Sequence, residues 1–183
     1  MYGAKGGEVY VLGNAAGRPL INSVGRPKAI INGTCLDFLA ESFMAGDPLK
    51  KGGFVILNGI KFDDNGQIVP LPEPYPGSNL FSLASGGAIY VRDPDNKCDE
   101  QQLNGGHFVQ LADADWELIL PYLQENERLF GISVEDLLTV DGQRCEPTEV
   151  YRKVAPSISA VSEAVADTDD VATDFETAEP VVA

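Results

Sequence analysis

A single histidine, His107, stands in this chain, beside one tryptophan, two methionines and three cysteines. That scarcity removes whole classes of chemistry. A serine hydrolase triad needs an imidazole base, and His107 is the one available. Cys35, Cys98 and Cys145 lie far apart with no C-x-x-C pair. An iron–sulfur cluster or structural zinc held by this chain alone is therefore not expected. The cysteines read as free thiols in a reducing compartment. No apolar run approaches the roughly 18–20 residues that span a bilayer. The start, "MYGAKGGEVYVLG", has no basic stretch leading into an apolar core, so a cytoplasmic location is expected.

Positive charge is also sparse: 13 Lys and Arg against 28 Asp and Glu, a formal net charge of −15. From Pro156 to Ala183 there are seven acids and no Lys or Arg. The body before it is still net acidic. A nucleic-acid surface, which needs clustered cations to displace counterions, is excluded on this balance. The composition of 157–183 predicts an acidic disordered tail, leaving 1–156 as one folded domain.

What the sequence does have is a repeat. Gly6-Gly7 opens "GGEVYVLG", Gly52-Gly53 opens "GGFVILNG" and Gly86-Gly87 opens "GGAIYVRD". A weaker copy, "GRPKAIING", starts at Gly25. Each core is too short for a helix and is rich in Val, Ile and aromatics, as strands are. Gly6, Gly7, Gly52, Gly53, Gly86 and Gly87 are the expected structural turn positions, where backbone takes a positive φ or passes close to other backbone. Short strands recurring between glycine turns predict a mainly β chain, a solenoid of the parallel β-helix kind with short C-terminal helices.

The intervals between copies lengthen along the chain. In "CLDFLAESFMAGDPLK", Leu36, Leu39, Phe43 and Met44 fall at helical spacing before Gly46. In "GQIVPLPEPYPGSN" four prolines predict a stiff extended surface loop. "DADWELILPYLQENERLFG" reads as a helix begun near Asp113 or Asp115 and stopped by Gly131, with Trp116, Ile119, Leu120 and Leu123 as its apolar stripe. Pro121 should kink or divide it. "ISVEDLLTV" predicts a short helix capped by Ser133, and "TEVYRKVAP" a final strand or extended anchor.

Candidate reactive residues each have a plainer reading. Ser85, in "LASGGA", lacks a G-x-S-x-G elbow and reads as a turn residue. His107, after two glycines, reads as a loop or strand-start residue. Cys35 has no base near it in sequence and reads as a core thiol. The glycine pairs match neither phosphate-binding pattern. Asn32-Gly33-Thr34 is a glycosylation triplet without meaning unless the chain is secreted. "DPDNKCDE", residues 93–100, lacks calcium-loop spacing and reads as a solvated turn. No catalytic, cofactor-binding or metal residue is assigned.

The order of these motifs resembles the C-terminal domain of the large (alpha) subunit of glutamate synthase. The resemblance rests on "GGAIYVRDPDNK", "FVQLADADWELILPYLQENERLFGIS" and "VYRKVAP", with Cys35 and "MAGDPLKKGGFVIL" upstream. It covers roughly residues 1–156. Gly3, Gly6 and Gly7 match the end of the family's G-x-x-G-x-x-x-G motif. Leu129 to Gly131 stand where the family usually has Tyr-Thr-Gly, and Ala155 stands where Met is common. The resemblance implies a right-handed parallel β-helix, and a stand-alone, archaeal-type version of this domain. It implies a non-catalytic scaffold holding glutaminase and flavin synthase modules, with FMN and an iron–sulfur cluster on partner subunits and none on this chain. Because that family has further strands ahead of the copy at Gly6, either the chain is a fragment or a partner covers its first strand. Two other readings stand beside it: a β-helical scaffold subunit of formylmethanofuran dehydrogenase, and a small hydrolase.

Overall fold

The structure, a computed structural model, describes residues 1–157. The tail expected to be disordered lies, from residue 158, outside the described residues. Strands β1 (Glu8–Val11), β2 (Lys28–Ile31) and β3 (Phe54–Leu57) come first, followed by a hairpin of β4 (Ile60–Phe62) and β5 (Ile68–Pro70). Then come β6 (Ala88–Arg92), β7 (Gly106–Gln110), α1 (Asp113–Phe130) and α2 (Val134–Leu138). A small pair, β8 (Thr139–Val140) and β9 (Gln143–Arg144), precedes α3 (Pro147–Val150) and β10 (Tyr151–Pro156).

The four copies of the repeat become neighbours. β1, β2, β3 and β6 pair in parallel, with Val9, Ala29, Val55 and Ile89 in register. The sheet does not continue that way. β10 lies antiparallel between β6 and β7, giving a six-stranded order β1-β2-β3-β6-β10-β7. This overturns the expected parallel β-helix: the molecule is a mixed α/β fold, with one mixed sheet and two small hairpins. The glycine doublets marked the parallel half correctly, but "YRKVAP" carries no doublet and runs opposite to both of its neighbours, β6 and β7, the second of which is itself opened by the doublet Gly105-Gly106.

Alternation along each strand divides the core in two. Ala29, Ile31, Val55, Leu57, Ile89 and Val91 face one side, against Leu20, Leu39, Phe43, Leu80 and Phe81 from the connecting segments. Ile30, Phe54, Ile56, Ala88 and Tyr90 face the other, under Ile119 and Leu123 of α1 and Leu137 and Leu138 of α2. β3 and β6 are buried on both faces, which is why their sequences read as unbroken apolar runs.

Between the faces of sheet and helix runs a polar seam. The Asn32 side chain donates to Val11 O (3.1 Å) and Asn126 Oδ1 (2.8 Å), and accepts from Asn58 (2.9 Å) and Asn126 (2.9 Å). Tyr151 Oη donates to Asn58 Oδ1 at 2.8 Å. Asn32, Asn58 and Asn126 are fully buried, and Asn32 has every donor and acceptor of its carboxamide used.

Two local expectations are corrected. Residues 36–46 are not helical: Phe38, Ala40 and Ser42 take left-handed φ of 56°, 55° and 52°. The same conformation recurs at Leu20 and Asn22, and again at Phe81 and Leu83, so stacked connecting segments share one corner geometry. Their amides pair between segments, Ala40 N to Pro19 O and Phe81 N to Leu39 O, and this pairing outweighs the local helical spacing. The proline-rich stretch is not wholly surface either, because Pro74 and Tyr75 are buried and Thr34 Oγ1 donates to Pro74 O at 2.7 Å. Helix α1 runs on through Pro121, which lies on its exposed side, where a missing N–H removes no buried bond.

The doublet glycines divide by surroundings. A Cβ on Gly53 would stand 2.5 Å from Pro27 O and 2.8 Å from Ala45 Cβ, whereas one on Gly6 would meet nothing within 4 Å. Gly53→Val is expected to lower stability by about 2–4 kcal/mol through this clash. Gly6→Ala should stay within about 0.5 kcal/mol of the parent. Urea midpoints of the two variants check this, and equal midpoints would contradict it.

Candidate functional site

The distinctive surface is the β1 edge of the sheet. β1 is paired on one side alone. Gly7 O and Val11 O accept from Lys28 N of β2 and from Asn32 N just after it, at 3.0 Å each. In a parallel ladder the alternate residues point away, so the N–H and C=O groups of Glu8 and Tyr10 face outward along this edge. Val9 and Leu12 are exposed, and Ala4, Val11 and Ala15 only partly cover the end of the core beneath them. An unprotected edge of this kind is a template for another strand.

The glycines sharpen this. In the inner copies each glycine is needed because a neighbouring segment lies against it: Gly25 against Lys5, Gly33 against Gly13 and Asn14, Gly53 against Pro27 and Gly87 against Phe43. By register, Gly6 takes the place of Gly52 and Gly86, Gly7 that of Gly53 and Gly87, and Gly13 that of Gly33, yet all three meet nothing within 4 Å. Gly7 keeps the same left-handed φ as Gly87, +92° against +82°. The first copy therefore has the shape that accepts a further segment, and that side is open.

The other candidates are dispersed. Ser85 is exposed and its amide donates to Phe43 O at 2.9 Å. His107 is exposed on β7, opposite Ala155. Among the described residues no hydrogen bond joins Ser85 to His107. The acids of 93–100 are engaged locally. Asp93 is buried and accepts from the amides of Lys97 (2.8 Å) and Cys98 (3.0 Å) and from Arg152 Nη1 (2.8 Å). Asp95 pairs with Lys97 at 2.9 Å, and Asp99 caps a short 3-10 helix. The stretch is an ordered loop built around Asp93, not a freely solvated turn.

Gly86 and Gly87 line a recess of ≈ 310 Å³ with Ser85 and Lys153. Lys153 Nζ is already held by Asp115 Oδ1 at 2.7 Å, which also accepts from Tyr90 Oη at 2.8 Å. Asp115 is buried in the first turn of α1, where the positive end of the helix favours it. Burial, and then the bond to Asp115, push the Tyr90 phenol above its ordinary value.

The asparagine seam was not anticipated. The sequence held a signal for it, since Asn-Gly follows the strand core at both 32–33 and 58–59. Read as a glycosylation triplet or a turn, that signal is lost.

Burial, with a smaller contribution from nearby Asp37 and Asp93 respectively, pushes the Cys35 and Cys98 thiols up to about 12. Burial also raises the Tyr75 and Tyr151 phenols. The unfolded chain releases these protons from about pH 8.5 for Cys and about pH 10 for Tyr. Above that range the folded state binds more protons, so stability falls as pH rises. The urea midpoint is expected to hold steady from pH 7 to 8 and then drop between about pH 9 and 11. At pH 8 a thiol reagent should modify the partly exposed Cys145 well before Cys35 or Cys98. A midpoint that stays flat to pH 11, or equal labelling of all three thiols, would contradict this.

Compared with known proteins, the chain matches no family model, no curated protein and no solved structure.

Proposed function

We propose that this chain is a non-catalytic structural subunit or domain that docks an extended segment of a partner along β1. The open edge carries the proposal: outward amides and carbonyls at Glu8 and Tyr10, exposed Val9 and Leu12, and three glycines shaped for a neighbour. Strand addition of this kind draws affinity from main-chain hydrogen bonds and specificity from alternate side chains. The rigid half of the molecule behind the edge suits such a task. β2, β3 and β6 are buried, and the asparagine seam fixes α1 to them.

The partner complex we propose is of the glutamate synthase type, in which this chain holds glutaminase and flavin synthase modules at fixed separation. The ordered run of "GGAIYVRDPDNK", the Trp116 helix and "VYRKVAP" supports that assignment. FMN and the iron–sulfur cluster then belong to the partners, and this chain contributes position alone.

Glu8→Pro separates the edge from the fold. It removes an outward N–H and leaves the β2-facing bonds of Gly7 and Val11 in place. The tagged full chain is expected to retain a flavin- and iron–sulfur-containing synthase chain and a glutaminase chain from lysate of the source cell. The Glu8→Pro chain, folded by circular dichroism, should lose both. Retention of a molybdopterin subunit instead would replace the glutamate synthase assignment. Undiminished capture by Glu8→Pro would remove β1 as the docking edge.

A further inference from the structure

Most of the 13 Lys and Arg in this chain are engaged. Arg18, Lys97, Arg128, Arg144, Arg152 and Lys153 sit in ion pairs. Arg92 is held by the carbonyls of Leu137 and Thr139, and Lys28 lies over the Tyr122 ring. The others, Lys5, Arg26, Lys50, Lys51 and Lys61, are exposed and form no ion pair with a described residue. All but Lys61 gather at one end of the sheet, just ahead of β1, β2 and β3.

Stacking of the segments brings them together. Arg26 N donates to Lys5 O at 3.1 Å, and in the next segment Phe54 N donates to Pro27 O at 3.1 Å. Arg26, Lys50 and Lys51 line a groove of ≈ 240 Å³ with Gly46 and Asp47. Asp47 is the sole acid on that lining, and it already caps Leu49 N at 3.0 Å.

The groove runs on to the place where the described chain ends. Gly46 and Asp47 also line the recess of ≈ 310 Å³ beside Ala155 and Pro156. β10 runs antiparallel to β6, so its last residues lie at the end where the parallel strands begin. Residues 158–183 follow from there, with seven acids and no Lys or Arg. Each strand in the order β10-β6-β3-β2-β1 adds about 4.8 Å, which puts Lys5 roughly 19 Å away. The six residues from Ser157 to Glu163 can span about 20 Å. Glu163 and every acid after it can therefore reach the cations.

We propose that the acidic segment 163–170 docks on this corner of its own chain, setting Glu163, Asp167, Asp169 and Asp170 against Lys5, Arg26, Lys50 and Lys51. Exposed ion pairs are weak one by one, and the tether compensates with an effective concentration of about millimolar. A free polyanion has no tether and meets the repulsion of a chain with net charge −15. Because the contact is electrostatic and exposed, salt releases it.

The test uses the full ¹⁵N-labelled chain with Cys145→Ser and Thr168→Cys, the latter carrying a nitroxide; Cys35 and Cys98 are buried and stay unlabelled. At low salt the amide signals of Arg26, Lys50 and Lys51 should be selectively lost. Those of Val140 and Asp141, which stand with Arg92 at the opposite end of the parallel strands, should keep their intensity. Raising NaCl to about 0.5 M should restore the lost signals. Replacing Lys5, Arg26 and Lys50 together by Gln should restore those of Arg26→Gln, Lys50→Gln and Lys51 at low salt. Loss that persists in either condition, or no selective loss at all, would overturn the docking. So would loss seen on mixing a nitroxide-bearing chain without ¹⁵N and a ¹⁵N chain without nitroxide, which would put a second copy in the corner.

Discussion

The carboxamide of Asn32 holds the two layers of this molecule together. It touches β1 through Val11 O, the loop end of β3 through Asn58, and α1 through Asn126. A carboxamide with every donor and acceptor used costs little to bury. The same group left half-satisfied costs about 1–3 kcal/mol for each lost partner. The apolar contacts around it, Phe54 against Tyr122 and Ile119 over the sheet, press helix to strand without choosing a register. The amide pairs choose it.

From that anchored centre the sheet differs at its two ends. Toward β10 the ladder turns antiparallel, with β10 between β6 and the far edge strand β7, stabilised by Arg152 on Asp93 and by Lys153 on Asp115. Toward β1 it stays open, and the glycines that other segments fill are bare there. A rigid body whose β1 edge carries bare glycines is suited to holding another chain in a defined position.

Local physics made much of this readable from residues. The glycine doublets and β-branched cores located β1, β2, β3 and β6, and the stripe from Trp116 to Leu123 with Gly131 after it located α1. Ser133 caps α2 through Asp136 N at 2.9 Å, as its spacing implied. What the residues did not disclose was direction. Val150, Arg152 and Val154 alternate in the same way whether β10 runs parallel or antiparallel, and its place is set by distant contacts with β6 and β7. The left-handed corners at Leu20, Ala40 and Phe81 were equally silent, because no glycine marks them and main-chain pairing between segments holds them.

If the asparagine seam fixes helix to sheet, Asn32 and Asn126 must be energetically coupled. Urea denaturation of Asn32→Leu, Asn126→Leu and the double variant measures that coupling. Each single change should cost about 2–4 kcal/mol, with the double costing less than the sum by about 1–3 kcal/mol. Additive losses would mean that apolar packing alone seats α1, and would contradict the account.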